Sequence, residues 1–312
     1  MVGAAGVSRA PVSVLIPVRN EEQNLPDCLR HLQWASEIFV VDSSSTDDSA
    51  RLSERAGARV VQFTWNGRWP KKKNWALANL PFANDWVLIV DADERITDEL
   101  AQEIASAVRD PGDRVGYYVN RRLIFLRRWI RHCGYYPSWN LRLVRRGQGR
   151  YERLADREPD QTGDNEVHEH LVADGPVGYL RNDMLHFAYP TIGAFVEKHN
   201  RYSSWEAHVE VHGRESELRP RPLGSPLERR RFWRHVSRTM PFRPWLRFVY
   251  SYVLRLGFLD GRPGFVLCRL IAYYEFLCAA KAEELRLRSR HVIDGEIARP
   301  ATEEPKGDEQ GS

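Results

Sequence analysis

The apolar positions of the first hundred residues fall in short runs separated by stretches of a different period. Val12 to Pro17, Ile38 to Val41, Arg59 to Phe63 and Val87 to Val90 are too short for typical helices and rich in β-branched side chains. Runs of that length and composition predict strands, the last of them buried on both faces. Helical signals lie between them. Asn20 can cap a helix that runs to about Leu32, with Gln23 three residues on and Leu25, Leu29 and Leu32 along one side. The polar turn from Ser43 to Asp48 opens a second helix that stops near Gly57, and Lys73 to Leu80 is a third. Strands alternating with helices predict an α/β protein, its parallel strands joined by right-handed crossovers. Thr97 then caps a fourth helix, with Asp98 and Glu99 in its first turn, ending near Val108.

Beyond that helix the pattern loosens. Tyr117 to Arg122 and Asn140 to Arg145 read as strands, and residues 124–139 between them are crowded with aromatic and basic side chains. Residues 147–163 are polar and predict a loop. From Pro190 onward, Ile192, Phe195, Val196, His199 and Tyr202 recur at helical spacing and predict a long amphipathic helix. Residues 213–226 form a Pro-containing linker. After it arginines alternate with Phe and Trp, and an apolar segment from Phe265 to Ala280 is interrupted by Arg269 and Glu275.

Composition narrows the setting. A chain of 312 residues can bury one large domain with an appendage, and its net charge of +4 conceals a basic second half and an acidic end. The four cysteines form no Cys-x-x-Cys pair, which predicts reduced thiols and a cytoplasmic setting. The first eleven residues lack the features of a signal peptide. No stretch of eighteen uninterrupted apolar residues occurs, so no spanning helix is expected. The basic-aromatic C-terminal region suits either nucleic acid or a membrane surface, and no nucleic-acid fold motif is present. An Arg at mid-bilayer costs roughly 2.5–3.5 kcal/mol on insertion scales, which favours helices lying in the interface. The plainer alternative is a helical subdomain packed on the rest of the chain.

Parallel strands align their carboxyl ends, so Asp42, after the second strand, and Asp91, Asp93 and Glu94, after the fourth, share one edge of the sheet. Asp-x-Asp there offers hard oxygens to a divalent cation and a diphosphate, or merely closes a polar turn. The dinucleotide fingerprint is absent, because the turn after the first strand reads Pro17-Val18-Arg19-Asn20, and so is the Gly-Lys-Ser/Thr phosphate loop.

Several motifs line up in order. They are Ser13-Val14-Leu15-Ile16-Pro17 with Asn20-Glu21-Glu22, Val41-Asp42-Ser43 with Ser45-Thr46-Asp47, Lys73-Asn74-Trp75-Ala76-Leu77, and Asp91-Ala92-Asp93-Glu94. Tyr136-Pro137, Leu141-Arg142-Leu143, Val167-His168-Glu169, Lys198 to Ser203 and Gly257 to Gly261 continue the series. Together they resemble the family 2 glycosyltransferases, inverting enzymes of GT-A fold, and among them the bacterial branch of lipopolysaccharide core glucosyltransferases. One departure is Lys72, where that branch carries Gln. Lys71 and Lys72 therefore receive no role at this stage.

The resemblance implies a GT-A domain over residues 12–212, with a nucleotide-sugar half at 12–110 and an acceptor half at 111–212. A tail at 1–11, the linker at 213–226, a helical and membrane-peripheral region at 227–295 and a disordered acidic tail at 296–312 complete the division. It implies transfer of a hexose from a UDP-sugar to a glycan or lipid-linked acceptor, with Mn²⁺ or Mg²⁺ as cofactor, at the inner face of the cell membrane. Pro17, Asp42, Lys73, Asn74 and Asp91 would line the donor, the plainer alternative for Asp42 being a cap for its Ser-rich turn. Asp93 would bind the metal, joined by His186 unless that side chain is only packed. Glu169 would take the acceptor proton, with Glu166 nearby as a solvated acid. His168 would orient that carboxylate or meet the acceptor, and Arg142 would hold a phosphate or anionic acceptor or else stand exposed on its strand. Another nucleotide sugar, or a GT-A-like binding module without activity, are the rival readings.

Overall fold

The computed structural model describes residues 9–155, 169–212 and 242–293, with a few isolated positions between 215 and 240. His168, Glu166, most of the 213–226 linker and the whole acidic tail lie outside the described residues.

The first half is built as the alternation predicts. Strands β1 (Ala10–Val18), β2 (Ala35–Asp42), β3 (Arg59–Gln62) and β4 (Trp86–Ile89) alternate with helices α1 (Leu25–Arg30), α2 (Ser49–Arg55) and α3 (Lys72–Asn79). All four strands are parallel, in the order β3-β2-β1-β4. From β1 the strand order runs to β2 and β3 on one side and to β4 on the other, and this switch opens a crevice at the strand ends where α/β sheets take ligands. Both faces of β1 and β4 are buried, which explains their unbroken apolar runs.

After β5 (Glu94–Arg95) and α4 (Asp98–Arg109), capped as expected by Thr97 Oγ1 accepting from the Leu100 amide, the sheet becomes mixed. The long strands β6 (Gly116–Phe125), β8 (Trp139–Arg145) and β12 (Val177–His186) extend it to β4-β8-β6-β12-β5, with the short β7 (Arg128–Trp129) folded onto β6. Helices α1 and α4 cover one face of the sheet through Leu25, Leu29, Leu100 and Ile104. The other face is covered by α3 and by a small antiparallel pair, β9 (Gly149–Tyr151) with β11 (Leu171–Ala173).

Three expectations change. Asn20 caps no helix: it adopts a left-handed backbone at φ 56°, and its side-chain oxygen accepts from the Thr46 amide at 2.8 Å. Helix α1 begins five residues later, where Pro26 sits in its first turn. Asn20, Glu21 and Glu22 instead bond the loop after β2, Glu21 N–H donating to Ser49 Oγ and Glu22 N–H to Asp47 Oδ2. The segment expected to be a loop from residue 147 contains β9 and β10 (Leu154–Ala155), because the backbone groups of its polar residues find antiparallel partners in β11 and residues 215–216.

The third change concerns the C-terminal helices. Helix α5 (Ile192–His212) is followed by α6 (Arg243–Val249), a π-helical turn (Tyr250–Leu254), a 3-10 turn (Gly257–Asp260) and α7 (Gly261–Ile293). The stretch Gly257–Ser289 is long and apolar enough to cross a membrane by length and composition. Scattered charges hide this in a search for uninterrupted runs. Yet α7 packs along α5, and Leu267, Cys268 and Ile271 share a core with Leu123, Phe125 and Ile130 of the β6–β7 hairpin. Arg243 bridges Glu210 of α5 and Glu275 of α7 at 2.9 and 2.6 Å. Asp260, buried, accepts from the amides of Arg131 and His132 at 3.3 and 2.9 Å and ties the 3-10 turn to the residues after β7. All four cysteines are free and buried, as reduced thiols would be.

Candidate active site

The sheet edge carries the expected carboxylates, and the first turn of α3 gathers them. Lys71, Lys72 and Lys73 are all buried, and each goes a different way. Lys71 Nζ donates to Glu169 Oε1 at 2.7 Å, Lys72 Nζ to the Val18 carbonyl at the end of β1 at 2.8 Å, and Lys73 Nζ lies 3.2 Å from Asp91 Oδ1. Cations at a helix N-terminus oppose the helix dipole, so their collection here has to be matched by anions, and Glu169 and Asp91 supply them. Asn74 fixes this turn to β9: its amide donates to the Tyr151 carbonyl and its oxygen accepts from the Tyr151 N–H.

Arg142 arrives through an irregularity in β8. Tyr117 pairs with Leu143 and Tyr118 with Leu141, which leaves Arg142 as an extra residue in the strand. Such a bulge re-aims its side chain. The guanidinium enters the interior and donates to Asp91 Oδ2 at 2.7 Å and Glu94 Oε1 at 2.5 Å. Arg142 is therefore no exposed strand charge. Desolvation raises the Asp91 carboxyl, but the Arg142 and Lys73 charges outweigh it and hold that group well below the usual carboxylate range. Glu94, fully buried, also accepts from the Asp91 N–H through Oε2 and so shapes the turn.

Asp93 meets His186 because β5 pairs with the end of β12, Glu94 opposite His186. His186 Nε2 stands 3.5 Å from Asp93 Oδ2, and Asp93 Oδ1 is buried without a hydrogen-bond partner. Burial raises the Asp93 carboxyl, while His186 and Lys198 of α5 lower it to about 2. Among the described residues no three His, Cys, Asp or Glu side chains are gathered to hold a metal ion. An orphaned carboxylate oxygen beside an imidazole nevertheless fits an ion that shares its shell with a substrate's oxygens and water.

Asp42 lies at the end of β2 with its carboxylate occupied. It accepts from the Ser45 amide at 3.2 Å, from Ser45 Oγ at 2.5 Å and from Gln62 Nε2 at 2.9 Å, the turn-capping arrangement. Gln62 also lines a cleft of about 190 Å³ with Phe63, Trp65, Asn66 and Trp75, placing that cleft next to Asp42. Pro17 lies in β1 opposite Val41, just past the last β1–β4 pair, Leu15 with Ile89.

The structure thus brings together Lys73, Asn74, Asp91, Asp93, His186, Arg142 and Glu169. Sequence reasoning missed Lys71, whose signal was its place in a lysine run between Trp69-Pro70 and Trp75, and it put Glu94 on the sheet edge without giving it the role of partner to Arg142.

An open α/β sheet with a carboxylate edge ringed by buried cations is a frame that glycosyltransferases use. The profile described as glycosyl transferase family 2 matches residues 13–165. The chain is 31% identical over 304 residues to the lipopolysaccharide core biosynthesis glycosyltransferase LpsC of Rhizobium meliloti (strain 1021), covering 94% of this chain and 99% of that one. It is 27% identical over 288 residues to an uncharacterized glycosyltransferase of Rickettsia typhi (strain ATCC VR-144 / Wilmington), covering 90% of each. Among solved structures, glucosyl-3-phosphoglycerate synthase from Mycobacterium tuberculosis in complex with Mn²⁺, UDP and glucosyl-3-phosphoglycerate matches 36% of this chain and 44% of that one, with 24% identity and a TM-score of 0.31. This chain belongs to the family 2 glycosyltransferases.

Proposed function

We propose that the chain is an inverting, metal-dependent glycosyltransferase that moves a hexose from a UDP-sugar to a glycan or lipid-linked acceptor in lipopolysaccharide-type envelope synthesis. The observation that carries this reading is Asp93, with its orphaned oxygen beside His186, next to an Asp91 held ionised by Lys73 and Arg142. Full-length similarity to LpsC, a lipopolysaccharide core biosynthesis glycosyltransferase, supports the acceptor class.

In this reading the cleft beside Gln62 takes the nucleobase between Phe63, Trp65 and Trp75. Asp42 and Pro17 border the nucleoside, and Lys73 and Asn74 the diphosphate. Asp93 and His186 would hold a divalent cation, which when bound would neutralise charge on the leaving diphosphate. Arg142 orients Asp91. The acceptor oxygen bonds to the anomeric carbon on the face opposite the diphosphate, whose oxygen departs with the electron pair of the broken bond. The acceptor proton passes to Glu169. Lys71 fixes the position of that carboxylate through its 2.7 Å contact. The enzyme works at the cytoplasmic face of the membrane.

A thermal-shift panel of nucleotide sugars, with and without Mn²⁺, tests the donor side, since a ligand that binds the native state raises Tm. UDP-glucose with Mn²⁺ is expected to raise it, and Asp93→Asn to remove the metal-dependent part. No shift from any nucleotide sugar with metal present would sink the donor assignment.

A further inference from the structure

The segment from residue 242 and the β6–β7 hairpin are far apart in sequence but form one surface. Arg128 at the hairpin donates to the Leu259 carbonyl of the 3-10 turn at 3.3 Å, and the Cys133 amide donates to the Arg255 carbonyl at 3.1 Å. Along this surface the largest apolar side chains point outward. Phe242 is 81% exposed, Leu254 69% and Trp245 64%, and Val253, Phe258 and the hairpin-tip residue Leu126 are also exposed. An apolar patch of this kind on a folded chain marks an interaction site.

Charge identifies the partner. From residue 242 to 265 the chain carries four arginines, of which Arg243 is taken up by Glu210 and Glu275, and one acid, Asp260, which is buried on the Arg131 and His132 amides. Residues 126–132 add Arg127, Arg128 and Arg131 and no acid. The exposed face of both segments is therefore apolar and cationic, with no exposed carboxylate of their own. That combination fits the headgroup region of an anionic bilayer, where aromatic and aliphatic side chains enter the interface and arginines meet lipid phosphates.

Helix α7 does not offer a simpler route across the membrane. Only 28% of its most apolar window is buried, but its other contacts bind it to α5. Lys281 donates to the Asn200 carbonyl and side chain at 2.7 Å, and Arg286 pairs with Glu210 at 3.1 Å. Spanning would require stripping those pairs, together with Arg243–Glu275, from the body of the protein.

We propose that the hairpin tip at residues 126–128 and the segment 242–265 together form a monotopic docking surface for anionic lipid, with α7 lying outside the bilayer along α5. This goes beyond the transferase reading and does not depend on its donor or metal.

The test is flotation of the full chain with phosphatidylcholine vesicles and with phosphatidylcholine–phosphatidylglycerol vesicles. Binding is expected to the second set only, to weaken as salt is raised, and to be released by alkaline carbonate. Arg127→Glu should weaken it at least about fivefold, the effect of one arginine near an anionic surface, and Leu254→Glu should weaken it further. Both positions are exposed, so the Tm and its response to UDP-glucose with Mn²⁺ should be unchanged. Equal binding to neutral vesicles, no binding, or variants that float like the parent would overturn the proposal. So would resistance to carbonate, which would put α7 across the bilayer, or a concentration-dependent dimer that both substitutions abolish, which would make the partner a second copy.

Discussion

Lys71 and Glu169, 98 residues apart, close a buried ion pair at 2.7 Å that joins the first turn of α3 to the residues leading into β11. Breaking a buried ion pair by removing one partner typically costs about 3–5 kcal/mol. Lys71→Met is therefore expected to lower the Tm strongly, and Lys71→Met with Glu169→Gln to recover part of it. Glu169→Gln alone should keep the nucleotide-sugar thermal shift and lose transfer by at least about 100-fold, the usual scale for a catalytic base. Near-normal turnover in that variant would remove Glu169 from the role.

Arg142 makes the same argument from the other side of the site. Arg142→Met leaves Glu94 buried and without the guanidinium at 2.5 Å, a change of about 3–5 kcal/mol by chemical denaturation. Adding Glu94→Gln should restore much of that stability. It should not restore activity, because Asp91 still lacks its Arg142 contact.

Stability should fall in acid in two steps. His199, stacked on Phe195 and desolvated by burial, has its pKa lowered from 6.5 to about 4. Between those values the unfolded chain binds the extra proton, so its contribution is complete above about 6.5 and lost as pH falls toward 4, a difference of roughly 3 kcal/mol. Asp93 is lowered from 3.8 to about 2, so its contribution is present above 3.8 and lost as pH falls through 2. Urea melts across pH should show the upper step disappear in His199→Gln and the lower step in Asp93→Asn.

Gly264→Ala tests the seat of the C-terminal helices. A Cβ there would sit 2.3 Å from the Gly257 carbonyl oxygen, and one on Gly257 would sit 2.7 Å from the Ser251 carbonyl oxygen. Backbone cannot yield as a side chain can, so either alanine should cost about 1–3 kcal/mol or more. Calorimetry that gave an unchanged Tm for both would show that this crossing is looser than its geometry.

The parallel half of the fold was legible because its signal is local: a short apolar run, a turn, an amphipathic turn of helix. The ends of β2 and β4 then follow from parallel direction alone, which is how Asp42, Asp91 and Asp93 could be put on one edge. Arg142 could not be read the same way, since a bulge shifts one strand against its neighbour and leaves no trace in either pattern. Asn20 misled for a related reason. Its side chain serves the loop after β2, a partner 26 residues away, and a capping rule looks only at the next turn. Lys71 was visible as a charge, but its partner lay across a segment of weak pattern.

Pro17 carries a consequence for how a ligand enters. The β1–β4 ladder stops at Leu15, whose carbonyl accepts from Val90 N–H. The next bond of a parallel ladder would need an N–H from residue 17, and proline has none. The two strands therefore cannot zip further together when the crevice is empty. The opening is held ready by covalent structure, and a ligand arriving there meets no bond from residue 17 to prise apart.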